Sequence, residues 1–153
     1  MIYRLANEKD FPQLAQMRWD FRQESGEEIA VVTEAEFIEK CIEFLRREEN
    51  NYLYWVAENK GEIVSHIFAH QINLVPRPCR VKDAFAYLTN TYTKPDFRRK
   101  GIGAKLLQTV IDWAKSEDLE LLLVYPSEDS IVFYQRLGFE NDAEMMKLIL
   151  RNY

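Results

Sequence analysis

Three cations stand in a row at Arg98, Arg99 and Lys100. Gly101 and Gly103 follow, with Ile102 between them and Ala104 after. This grouping suits an anion carrying several phosphates. A β-type run from Tyr87 to Thr93 precedes it, Pro95 breaks the run, and a strongly helical segment follows. A strand feeding a glycine turn and then a helix presents the unpaired N–H groups of the first helical turn to a ligand. Glycine lets the ligand approach the backbone, while the helix dipole and the cations favour negative charge.

Two common phosphate loops are excluded. A nucleoside-triphosphate loop ends in Gly-Lys-Ser/Thr, but Gly103 is followed by Ala104, Lys105 and Leu106. The dinucleotide fingerprint needs a third glycine three residues after the second, and Leu106 stands there. A second chemical candidate is Tyr134, in Tyr134-Gln135-Arg136-Leu137-Gly138-Phe139. Spacing alone shows a helical tyrosine before a Gly-Phe stop, which also describes a core tyrosine with a satisfied hydroxyl.

These stretches need a folded frame. A chain of 153 residues, 47% hydrophobic and 13% aromatic, is expected to form one domain over residues 1–153. Its net charge of −5 argues against a nucleic-acid binder, so a basic cluster within it points to a discrete anionic ligand. Cys41 and Cys79 have no partners at metal-ligand spacing. They read as reduced thiols of a cytoplasmic protein, and no metal is expected. Charges at Arg4, Glu8 and Lys9 speak against a signal peptide, and no long apolar segment suggests a membrane span.

In chain order, Ile2–Leu5 reads as a strand. A helix entered at Pro12 follows, capped by Asn7 or Asp10. Thr33-x-x-Glu36 is a capping box for a second helix. Strands at Tyr52–Glu58 and Ile63–Ile72 flank Asn59-Lys60-Gly61, a hairpin turn. Phe85–Thr93 is the next strand, and a helix runs from about Gly103 to Glu117. Leu119–Tyr125 reads as a strand whose Leu121–Val124 run predicts burial on both faces. Ser127–Leu137 reads as a short helix stopped by Gly138, and Phe139–Leu150 as one or two strands. The fold class is α/β of the α+β type, with a mixed, mostly antiparallel sheet flanked by helices on both faces.

Arg98-x-x-Gly101-x-Gly103, the Tyr134–Phe139 stretch and this element order resemble the GNAT superfamily of acyl-CoA N-acyltransferases. The resemblance covers nearly the whole chain and is weakest over the first fifty residues. It implies an N-acetyltransferase that moves an acetyl group from acetyl-CoA to a primary amine, directly, in a ternary complex. Arg98, Arg99, Lys100, Gly101, Ile102, Gly103 and Ala104 would hold the pyrophosphate of coenzyme A. Tyr92 and Thr93 would offer backbone N–H groups to the acyl carbonyl, and Tyr134 would assist the leaving thiolate. Ser127 and Ser130 stand where the family has an asparagine and a small residue before the tyrosine, and the resemblance implies that they contact the cofactor. A capping role is expected for at least one of them.

The proton acceptor is missing from its usual place: Thr89 stands where many family members carry a strand glutamate. His66 and His70 share one strand face and are candidates, as are Glu58 and Asp83; a water relay is the default. The first two helices carry Trp19, Phe21, Arg22, Glu24, Glu27 and Glu28, read as an acidic, aromatic rim suited to a cationic amine, or as a solvated helix end. Small-molecule and peptide amines are both compatible with this pattern, as is a homodimer. A non-catalytic module that senses coenzyme A is the alternative from another class.

Overall fold

The computed structural model describes residues 1–24, 26, 30–81, 83–141, 148 and 150. The chain runs β1 (Ile2–Leu5), α1 (Phe11–Glu24), α2 (Glu34–Arg47), β2 (Tyr52–Asn59), β3 (Glu62–Asn73) and β4 (Ala84–Thr93). It continues through α3 (Ile102–Ser116), β5 (Leu122–Val124) and α4 (Ile131–Gln135).

Local chemistry accounts for most boundaries. Asn7 and Asp10 act together: the Asn7 side chain accepts from Lys9 N, and Asp10 accepts from Asn7 N. Their box opens a 3-10 turn over Glu8–Asp10 that leads into α1. At α2, Thr33 Oγ1 accepts from Glu36 N, while Glu36 accepts from Thr33 N. Losing such a cap typically costs about 1 kcal/mol. Lys60 and Gly61 have φ of 53° and 87°, the left-handed pair that turns β2 tightly into β3.

The strands lie in the order β1-β2-β3-β4-β5, antiparallel except for β4 and β5, which are parallel. On one face Phe11, Leu14 and Met17 of α1 and Leu45 of α2 pack on Tyr54, Val56, Phe68 and Tyr92. On the other, Ile102, Leu106, Leu107 and Val110 of α3, with Tyr134 of α4, pack on Trp55, Ala57, Ile67 and Leu88. Each fully buried leucine or isoleucine contributes about 2 kcal/mol relative to exposure. The mixed sheet with helices on both faces is the expected architecture.

Two features of β4 position the site. Its register with β3 passes from His66–Tyr92 to Phe68–Thr89, so Ile67 alone faces both Asn90 and Thr91. This is a β-bulge, and Asn90 adopts φ 49°, a left-handed conformation that asparagine tolerates better than most residues. Beyond Leu88 and Val124 there is no further β4–β5 pairing.

The expectation for β5 needs correction. Its paired part is three residues long, Leu121 is 49% exposed, and Leu122–Val124 are only partly covered. The apolar run misled because β5 is the outermost strand of the described sheet, where an apolar run need not be buried on both faces. The short helix is likewise split, into a 3-10 turn at Glu128–Ser130 and α4. Most of the strand expected within Phe139–Leu150 falls at 142–147 and 149, outside the described residues.

Candidate active site

Where β4 and β5 part, they leave a cavity of about 400 Å³. Its walls come from both sides of the sheet. Arg18, Phe21 and Arg22 of α1 line one side; Phe133 and Tyr134 of α4, with Ser127 and Ser130, line the other. Thr89, Asn90 and Thr91 of the bulged strand lie between them. Two reactants could therefore approach the same segment of β4 from opposite faces.

Tyr134 is 5% exposed and packs edge-on against Phe133 and Phe139. Gly138, at φ 92°, lets the chain turn so that Phe139 N–H donates back to Tyr134 O at 3.2 Å. Burial raises the phenol's pKa, with the Thr91 hydroxyl opposing the shift. The phenol is thus a proton holder and hydrogen-bond donor at neutral pH.

The open edge of β4 offers backbone groups. Lys94 N–H donates to Val64 O at 3.0 Å, and Ser65 pairs with Thr93. In an antiparallel ladder this turns Tyr92 N–H inward to β3 and Thr93 N–H outward. The Tyr92 side chain also points away from the cavity: it packs on Phe21 in the α1–α2 core, and burial first, then Glu24, pushes its pKa to about 12. Of the two residues expected to meet the acyl group, Thr93 has its N–H on the open edge.

At the start of α3, Gly101 is the N-cap at φ 76° and contributes no side-chain cap, so the first-turn N–H groups of Ile102, Gly103 and Ala104 are uncapped. Gly103 lets α3 sit close to β4; a Cβ there would meet Thr93 Oγ1 at 3.3 Å. Arg99 is exposed at φ 58°, and the exposed Lys100 lies 5.4 Å from the centre of the Phe97 ring.

Arg98 is differently employed. Its Nη1 and Nη2 donate to the two Glu24 carboxylate oxygens at 2.5 and 2.7 Å, and its Nε donates to Thr93 O at 2.8 Å. The guanidinium also lies over the Tyr92 ring, 5.4 Å from its centre. Arg98 thus ties the end of α1 to the glycine loop.

Ser127 and Ser130 both line the cavity, but neither makes the expected capping bond. Ser127 Oγ donates to Ser130 Oγ at 3.1 Å, and Ser130 Oγ donates to Ser127 O at 2.9 Å. Each hydroxyl is drawn to its partner, away from the helix N–H groups.

No Asp, Glu or His side chain among the described residues lines this cavity. Glu58 is held by Arg4, which also pairs with Asp10, and Asp83 by Arg77 and Arg80. His70 stacks on Tyr52 at 4.4 Å. His66 is fully buried beside Phe68 and Tyr92, and neither ring nitrogen has a side-chain or backbone partner within hydrogen-bond geometry. Burial pushes its pKa to about 3, partly opposed by the Asn90 backbone.

His66 is therefore neutral in the folded protein and protonates on unfolding below about pH 6.5. Its contribution to stability is present above about pH 6.5 and is lost as pH falls toward 3, at up to about 1.4 kcal/mol per pH unit. Denaturant unfolding at pH 7, 6 and 5 should show this decline, above the range where carboxylates titrate, and His66→Phe should flatten it. An equally steep decline in His66→Phe would remove His66 as its source.

Only part of the expected acidic rim is described. Glu24 is engaged by Arg98, Glu27 and Glu28 lie outside the described residues, and Trp19 packs on Phe37 of α2 at 5.4 Å. Among the described residues, the charged side chains on the α1 side of the cavity are Arg18 and Arg22. Arg18 Nη1 donates to Asn90 Oδ1 at 3.0 Å. Sequence reasoning had passed over Arg18 and Asn90. The available signal was two arginines four residues apart on a helix whose neighbours are apolar, a like-charge spacing that destabilises a helix on its own.

The sequence profile of the acetyltransferase (GNAT) family matches residues 11–139. An uncharacterized N-acetyltransferase of Methanocaldococcus jannaschii is 30% identical over 110 residues, 65% of this chain and 48% of that protein. The match thus spans about half the length of that relative. Glucosamine 6-phosphate N-acetyltransferase of Trypanosoma brucei brucei is 26% identical over 101 residues, 60% of this chain and 69% of that one. Among solved structures, a predicted acetyltransferase with acetyl-CoA from Clostridium acetobutylicum shares the fold at a TM-score of 0.80. It is 23% identical, with 97% of this chain and 96% of that one covered. The profile match extends from the start of α1 to just past α4 and takes in the whole cavity: the chain belongs to the GNAT acetyltransferase family.

Proposed function

We propose that the protein transfers an acetyl group from acetyl-CoA to a primary amine, by direct attack within a ternary complex. The observation that carries this reading is the cavity at the β4–β5 opening, lined from both faces of the sheet. Acetyl-CoA supplies the acyl group as an activated thioester. The residues present fit such a molecule: uncapped N–H groups at Ile102–Ala104 with Arg99 and Lys100 for pyrophosphate, and an open β4 edge for a chain of amides.

On this reading Thr93 N–H is available to the acyl oxygen, where a donor stabilises charge as it develops. Tyr134 donates a hydrogen bond to the departing sulfur. The amine must shed a proton before attack, since an alkylammonium ionises near pH ~10.4. The two arginine charges lining the cavity lower that value, and water carries the proton away. No side-chain base is assigned. Neither cysteine lines the cavity, which favours direct transfer over a covalent acyl-enzyme.

The lack of a carboxylate or imidazole in the described cavity walls also favours a second reading, a coenzyme A sensor without turnover. Thiol release from acetyl-CoA, with matched amine acetylation by mass spectrometry, separates the two. Intersecting initial-rate patterns support direct transfer. Ping-pong kinetics would reject direct transfer, and no amine-dependent release across a panel of amino acids, amino sugars, polyamines and peptides would favour the sensor.

A further inference from the structure

We infer that the α1 side of the cavity is an anion subsite, and that the acceptor is an amine bearing a carboxylate or phosphate group which Arg18 binds. This rests on the transferase reading of the same cavity and adds the class of acceptor. Arg18 is partly buried, and among the described residues its one hydrogen bond runs to the neutral Asn90 oxygen at 3.0 Å. A guanidinium has five N–H donors, so several of Arg18's have no protein partner among the described residues. No carboxylate among the described residues lines the cavity, so the subsite rests on Arg18 alone.

A second observation is independent of the arginines. Asn90 Nδ2 is buried on the cavity-lining bulge without a hydrogen-bond partner. Asn90 gives its oxygen to Arg18, which leaves its NH₂ as an unused donor beside the guanidinium. A buried donor without an acceptor, and a cation with no counter-charge among the described residues, are costly unless a ligand completes them. An acceptor carrying oxygen-centred negative charge satisfies both. The phosphates of coenzyme A are a poorer match, because their cradle is at the start of α3, whereas Arg18 belongs to α1 on the opposite face of the sheet.

Matched amines test the idea: 2-aminoethyl phosphate against ethanolamine, and β-alanine against propylamine. Calorimetric titration into the coenzyme A-loaded protein should show at least about tenfold tighter binding of one anionic member. The pair that discriminates identifies phosphate or carboxylate as the group held. In Arg18→Gln that preference should collapse, while retained coenzyme A binding shows that the variant is folded. Equal or tighter binding of the neutral partners in the unaltered protein would overturn the inference, whether or not the variant folds. So would a preference undiminished in Arg18→Gln. Thiol release with the same compounds keeps the two readings apart. An anion preference in binding without turnover would remove the transferase and leave the subsite. Turnover of neutral amines with no preference would do the reverse.

Discussion

Changing Tyr134 to phenylalanine is expected to lower kcat by about 10- to 100-fold and leave acetyl-CoA affinity nearly unchanged. The size follows from what a buried phenol can do. An alkyl thiol ionises near pH ~8.5 and a phenol near ~10. Burial raises the Tyr134 pKa further. Full proton transfer from Tyr134 to a departing thiolate is therefore uphill, and the phenol acts as a hydrogen-bond donor that keeps its proton. A hydrogen bond to a charged group is worth about 1.5–3 kcal/mol, or roughly 10- to 150-fold in rate. A group that gives up its proton in the transition state would be worth about 10²–10⁴-fold. Steady-state kinetics of Tyr134→Phe, with acetyl-CoA binding measured separately, distinguish these. A loss beyond a thousandfold would point to proton transfer, and unchanged turnover would remove Tyr134 from the chemistry.

The second large effect is expected at the start of α3. Arg99 and Lys100 are exposed, with no carboxylate partner among the described residues, beside the uncapped N–H groups of Ile102–Ala104. Replacing both with alanine should weaken coenzyme A binding by about a hundredfold, from about tenfold for each lost charge-assisted contact. The affinity of the double variant should also depend less steeply on salt. Arg98→Ala should behave differently, because Arg98 is engaged by Glu24 and by Thr93 O. Its loss should act through the order of the loop and the end of α1, and Glu24→Gln should reproduce part of it. If Arg98→Ala weakened binding far more than the double variant, Arg98 would have to leave Glu24 and take the phosphates.

The parts of this site that were legible in sequence are those built from neighbours along the chain. The glycine loop, the Tyr134–Gly138 stop, the Thr33–Glu36 box and the Lys60-Gly61 turn each depend on a few consecutive residues whose backbone preferences leave little choice. The illegible parts are long-range. Arg98 and Glu24 are 74 residues apart, Arg18 and Asn90 are 72 apart, and nothing local announces either pair. The bulge at Asn90–Thr91 was hidden for a related reason. Asparagine signals a tolerated left-handed backbone, but only the pairing with β3 makes it adopt one here. The Leu121–Val124 run was misjudged because an apolar run in an outermost strand and one in a central strand share one sequence pattern.

The place of Glu24 was illegible on the same ground. Counting charges on α1 gave Glu24 to the acceptor, whereas the fold gives it to Arg98 and turns Arg18 and Arg22 to the cavity. In a chain of net charge −5, the charged side chains among the described residues lining the candidate site are all positive.

The central claim is that the cavity and the start of α3 together hold acetyl-CoA. Thermal unfolding of the full chain across an acetyl-CoA titration tests it most directly. The account predicts a saturable rise in Tm that reaches about 2.7 kcal/mol of added stability at a hundred times the Kd, and a much smaller rise in the Arg99→Ala/Lys100→Ala variant. No shift at millimolar acetyl-CoA or coenzyme A would contradict it.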